Sequence, residues 1–79
     1  MSTNHERISY NTNMTIGETI KQLRLEMNIT QSQLASLLFT SQDTISLWER
    51  NKSLPDIKSL INMCSIFNVT SDYILGLEK

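Results

Sequence analysis

An all-α fold of five short helices is what this chain of 79 residues predicts. Three observations carry that expectation. Helix-start residues recur along the chain, each followed by apolar residues at helical spacing. No stretch alternates apolar and polar residues long enough for a strand, and no Asn-Gly or Asp-Gly hairpin signal occurs. The length suits one small domain, which buries only about 60% of its unfolded surface and so needs a compact core.

The segment from Met1 to Asn13 is polar and without period, and reads as a flexible tail, leaving 14–79 for the folded domain. Thr15 with Glu18 makes a capping box, in which each side chain satisfies a backbone N–H at the helix start. Ile16, Ile20, Leu23 and Met27 then share a face, and Asn28 tolerates the left-handed backbone that ends a helix, so the first helix spans about 16–27. Thr30 with Gln33 repeats the box, and Leu34, Ala35 and Leu38 mark a second helix over 31–38. The chain breaks at Phe39-Thr40-Ser41. Ser41 caps a third helix with Ile45 and Trp48 inward, Asn51 ends it and Pro55 forbids its continuation. Asp56 caps a fourth helix, whose inner positions are read as Ile57, Leu60, Ile61, Cys64 and Phe67. Thr70 caps a last short helix carrying Tyr73, Ile74 and Leu75, closed by Gly76.

Composition narrows the function. Seven basic against eight acidic residues give a net charge of −1 and a pI near 5.7. That balance counts against a nucleic-acid binder without excluding one, because the placement of charge matters more than its sum. No apolar run approaches the roughly 18 residues of a membrane span, and the first ten residues lack the apolar core of a signal peptide. One cysteine, Cys64, closes no intramolecular disulfide and builds no zinc site, so a reduced, cytoplasmic setting is expected. Cys64 reads as a small core residue, and Met14, Met27 and Met63 as core or gap filling. The one histidine, His5, falls in the tail. With no Cys/His or Ser/His/Asp constellation and no Gly-rich phosphate loop, no catalytic, cofactor or metal site is expected.

The second helix, the break and the third helix are the most specific feature. Gln31, Ala35, Ile45 and Trp48 have the spacing of two helices that cross steeply. Ala35 must be small where the third helix passes it, and Ile45 and Trp48 fill the wedge. This is helix-turn-helix geometry, whose second helix is free to enter the DNA major groove.

On the segments IGETIKQLR, NITQSQLA, TISLWERNKSLPD and FNVTSDYILG, the chain resembles the Cro/cI-type, or Xre-type, phage-repressor regulators, over roughly Ile16 to Gly76. The resemblance implies a lambda-repressor-like domain that binds double-stranded operator DNA as a homodimer and acts as a transcriptional repressor. That family usually has glycine at the positions of Asn28, Phe39 and Asn51. Asparagine is a mild change, but a bulky residue resists positive φ, so either the turn at Phe39 differs or Phe39 carries strain.

With Ile45 and Trp48 inward, the third helix presents Gln42, Asp43, Ser46 and Leu47 outward. The resemblance assigns Gln42, Asp43 and Leu47 to base edges. Gln42 suits adenine N6 and N7, and Leu47 suits a thymine methyl. Asp43 has two readings, an acceptor from cytosine N4 or a helix-start charge that favours the dipole. Ser41, Thr44 and Ser46 complete the DNA-facing set, within reach of sugar-phosphate or base. Gln31, Arg50 and Lys52 hold the family's phosphate-contact positions, although Lys52 reads equally well as an ordinary loop lysine. Helix N-termini bind phosphate through free N–H groups, which lets a chain of charge −1 bind DNA. Arg24 and Glu49 match a family ion pair between the first and third helices. The final segment, Tyr73 to Leu77, carries more apolar surface than its helix can bury, which suits a dimer contact. Two other readings of the same fold stand beside this one: a protein-interaction module favoured by the acidic balance, and an antitoxin-like protein using both DNA and a protein partner.

Overall fold

The computed structural model describes residues 14–78, so the expected tail over 1–13 lies outside the described residues. Five helices follow in order: α1 (Ile16–Glu26), α2 (Gln31–Leu37), α3 (Gln42–Glu49), α4 (Ile57–Phe67) and α5 (Ser71–Leu75). Among the described residues there is no strand.

Each helix starts in the same way. Thr15, Thr30, Ser41, Asp56 and Thr70 sit in extended backbone, and each side-chain oxygen accepts the N–H three residues ahead. Glu18 and Gln33 return the bond, so both capping boxes form as the sequence predicts. The endings are also alike. Asn28, Phe39, Asn51, Asn68 and Gly76 take left-handed backbone, with φ between 57 and 78°. The residue after each donates its N–H to the carbonyl five positions back: Ile29 to Arg24, Thr40 to Ala35, Lys52 to Leu47, Val69 to Cys64 and Leu77 to Asp72. This pattern satisfies the last carbonyls and turns the chain sharply, so the connections stay short. Phe39 therefore keeps the left-handed turn, at φ 58°, and carries its strain.

The core draws on every helix: Ile20 and Leu23 from α1, Leu34 and Ala35 from α2 with Leu38 at its end, Ile45 and Trp48 from α3, Met63 from α4 and Ile74 from α5. α2 packs on α3, α1 crosses α3, and α5 closes against α1 and α4. Ala35, 3% exposed, is the small residue expected under the crossing.

Three inward assignments, on two helices, are corrected. Met27 is 43% exposed, because α1 ends at Glu26 and the chain turns away through Asn28. On α4, Ile57 and Ile61 point to solvent, while Met63 and Ser59 are buried and Leu60, Cys64 and Phe67 pack at the core's edge. α4 is apolar around most of its circumference, so spacing alone does not choose its inner face.

Candidate nucleic-acid interface

The turn between α2 and α3 is built so that α3 can be aimed. Its buried side, Ile45 and Trp48, is anchored in the core, and its opposite side stays open. Ser41 caps its first turn by accepting from the Thr44 N–H at 3.2 Å, and the two hydroxyls lie 2.9 Å apart. Ser41, Gln42 and Asp43 are exposed at the start of α3, Thr44 is half-buried beside them, and Leu47 is exposed one turn further on. Ser46 is half-buried, and its hydroxyl accepts from Arg50 Nε at 3.1 Å, so Arg50 folds back along α3. Lys52 is exposed in the following loop.

The start of α3 is joined to the start of α2 by side-chain amides. Gln42 Nε2 donates to Gln31 Oε1 at 3.3 Å, and Ser32 Oγ donates to Gln42 Oε1 at 3.2 Å. Gln31 Nε2 in turn donates to Glu49 Oε1 at 3.0 Å. Glu49 is the carboxylate of the expected ion pair: Arg24 Nε lies 2.7 Å from Oε2, with side-chain exposures of 9% and 3%. A second bond, from the far guanidinium nitrogen to Glu49 Oε1, is 3.1 Å, and the remaining nitrogen donates to the Ile29 carbonyl at 2.8 Å. The planar guanidinium fork thus meets the carboxylate in two places, the geometry that makes such a pair worth its desolvation. Among the described residues, no buried side-chain N or O is left without a partner.

The sequence-predicted residues therefore sort into groups. Gln31 and Gln42 are brought into contact. Ser41, Asp43, Thr44 and Leu47 line the open side of α3 near Gln42, while Arg50 and Lys52 stand at its far end. Three contributors were missed. Ser32 carries no motif of its own, and only the folded contact with Gln42 reveals it. Gly17 lies where α1 meets the end of α3: a Cβ there would come within 2.2 Å of the Trp48 carbonyl oxygen. Asn51 does more than end α3. Its Oδ1 accepts from the Gly17 N–H at 3.0 Å and its Nδ2 donates to Thr15 Oγ1 at 2.9 Å, tying the end of α3 to the start of α1. The one signal for Gly17 was the residue itself, a glycine inside a helical stripe.

A helix-turn-helix family profile matches residues 20–74. The chain is 41% identical over 66 residues to the HTH-type transcriptional activator BcrR of Enterococcus faecalis, a match covering 84% of this chain and 32% of that protein. It is 30% identical over 66 residues to the HTH-type transcriptional regulator ImmR of Bacillus subtilis, covering 84% of this chain and 52% of that protein. The chain thus spans a third to a half of the length of these relatives. Among solved structures, the P22 c2 repressor in complex with a synthetic operator superposes with a TM-score of 0.77 at 28% identity, over 82% of this chain and 98% of the repressor chain.

Proposed function

The chain belongs to the helix-turn-helix family of DNA-binding regulators, and from that premise we propose that it is a sequence-specific transcriptional regulator that reads operator DNA with α3 in the major groove. The observation that carries this reading is the open start of α3, where the Gln42 amide is exposed and held by Gln31 and Ser32 while Ile45 and Trp48 fix the helix from below. Gln42 reads a base edge, Leu47 offers apolar contact to a thymine methyl, and Ser41, Asp43, Thr44 and Ser46 flank them. Gln31, Arg50 and Lys52 meet phosphates on either side, which sets register without reading sequence.

The protein works as a homodimer in the cytoplasm, with two copies of α3 meeting half-sites about 34–36 Å apart. Repression follows from occupancy alone. The activator BcrR is matched over only 32% of its length.

Selection of bound duplexes from a random-sequence pool tests the proposal. An enriched sequence with two related half-sites is the expected result, and recovery of an unenriched pool sinks it. On the selected operator, Lys52→Ala should weaken binding to specific and random duplexes alike and lower the salt slope by about one unit. An unchanged slope removes Lys52 from the phosphate contacts.

A further inference from the structure

Arg50 is tied to one residue twice. Its backbone N–H donates to the Ser46 carbonyl at 3.0 Å, and its side-chain Nε donates to the Ser46 hydroxyl at 3.1 Å. The first bond carries the helical register of α3 on to Arg50. Seven residues make about two turns, so Arg50 stands in line with Asp43, with Leu47 beside that line. This is the side opposite the buried Ile45 and Trp48. The second bond sets the direction of the side chain. Helical side chains lean toward the N-terminus, and the anchor on Ser46 keeps the guanidinium over the preceding turn instead of letting it reach past the end of α3. Glu49, the neighbouring carboxylate, does not draw it away, because its oxygens take Arg24 and Gln31. The charge of Arg50 therefore lies on the open face of α3 and not beyond its end.

We propose that Arg50 reads a guanine, and that Ser46 is the positioning residue that holds it to that task. The inference rests on the reading of α3 as the major-groove helix, and it replaces the phosphate contact that motif position gives Arg50. With Nε given to Ser46, Nη1 and Nη2 remain as a planar pair of donors. Guanine presents two acceptors, N7 and O6, to such a pair. Adenine presents N7 but sets its N6 donor against the second nitrogen, thymine offers O4 alone, and cytosine offers a donor. Guanine is thus the one base edge that satisfies both nitrogens. A guanidinium released from Ser46 still bonds guanine, but at any other base it swings to the nearest phosphate and recovers part of the loss. The anchor closes that escape, and so turns an attraction to DNA into discrimination.

The test uses the full chain, the duplex it selects from a random pool, and duplexes changed at one base pair. Arg50 is exposed and Ser46 half-buried, both outside the core, so the variants should melt with the wild type. Arg50→Ala should abolish the preference at one guanine pair, about tenfold in the wild type, and leave the preferences at other pairs in place. Arg50→Lys keeps a charge that reaches phosphate but lacks the planar pair of donors, and should retain only about twofold at that guanine. Ser46→Ala should lower the preference to about threefold, and should lower it no further when Arg50 is already lysine. A tenfold preference kept by Ser46→Ala, or a further drop in the lysine background, overturns the positioning role of Ser46. If Arg50→Ala weakens every duplex alike and lowers the salt slope by about one unit, while Arg50→Lys binds as the wild type does, Arg50 meets a phosphate and the proposal is overturned. Gln42→Ala separates that failure from failure of the underlying reading, because it should move a different pair. If neither Gln42→Ala nor any Arg50 variant moves the preference at any pair, α3 does not read bases, and the role of Arg50 falls with it.

Discussion

Phe39 and Asn51 share nearly the same backbone, φ 58° and 59°, and yet substitution by glycine should have opposite effects. A left-handed residue with a Cβ costs roughly 1–2 kcal/mol. Phe39 is 93% exposed, so its ring recovers almost nothing by burial, and the Thr40-to-Ala35 bond that ends α2 needs no side chain. Phe39→Gly should raise stability by about 1 kcal/mol, seen in urea as a higher midpoint at an unchanged slope. A lower midpoint would mean that the ring has contacts worth more than the strain. Asn51→Gly relieves the same strain but removes the bonds to Gly17 and Thr15, and should lower stability by about 1 kcal/mol. Asp56 adds a pH dependence. The Ser59 hydroxyl and backbone N–H hold its pKa below the ordinary 3.8, so folding favours the ionised form. That contribution is whole above the ordinary carboxylate range and is lost as pH falls through the lowered value in the folded chain. Asp56→Asn keeps a capping oxygen but cannot titrate, so its melting temperature should fall less than the wild type's between about pH 5 and pH 3. Parallel acid limbs would show that other carboxylates dominate.

At the scale of the helices, what could be read in the chain was local. The five caps were legible because each is a side chain bonding a backbone three residues away, and the asparagines at 28 and 51 advertise left-handed backbone. The facing of α3 was legible because Ile45 and Trp48 are its two apolar residues at i, i+3 spacing, with Leu47 alone on the other side. The facing of α4 was not, because apolar residues ring it. The residues proposed to face DNA were named from motif position, whereas Ser32 could not be, because its partner Gln42 lies on another helix. Gly17 was hidden for the same reason, with its partner Asn51 34 residues on. It carries the prediction at this scale. Helix propensity alone says that Gly17→Ala should help by up to about 1 kcal/mol. The structure says otherwise, because the new Cβ meets the carbonyl oxygens of Trp48 at 2.2 Å and Glu49 at 2.8 Å, and backbone cannot swing aside as a side chain can. α1 must shift off the end of α3, straining the Arg24–Glu49 pair that spans them. A net loss of about 1–3 kcal/mol is expected in thermal melting. A stabilised variant would mean that α1 and α3 are not in such close register.

At the scale of the whole molecule, the proposed homodimer needs a surface through which two copies meet. As expected, the C-terminal end keeps apolar side chains outward: Ile74 is fully buried, but Tyr73 is 36% exposed, Leu75 37% and Leu77 62%. A second apolar group competes with it: Leu54 at 71%, with Ile57 at 70% and Ile61 at 61%, the last two at positions that spacing assigns to the inside. Either group is small beside the roughly 1,200–2,000 Å² that a stable interface buries, so the free protein should sediment as a monomer at micromolar concentration and pair only on DNA. Pairing on one duplex is intramolecular in effect, which lets a weak contact count. The C-terminal end is the contact proposed, so Leu75→Ser, Leu77→Lys should reduce affinity for a two-half-site operator several-fold and leave binding to a single half-site unchanged. Ile57→Lys, Ile61→Lys should leave the operator affinity within about twofold, after allowance for the added charge near phosphates. If the second pair of substitutions abolishes cooperative binding and the first does not, the copies meet through α4, and the residues that the sequence placed in the core are the ones that join the dimer.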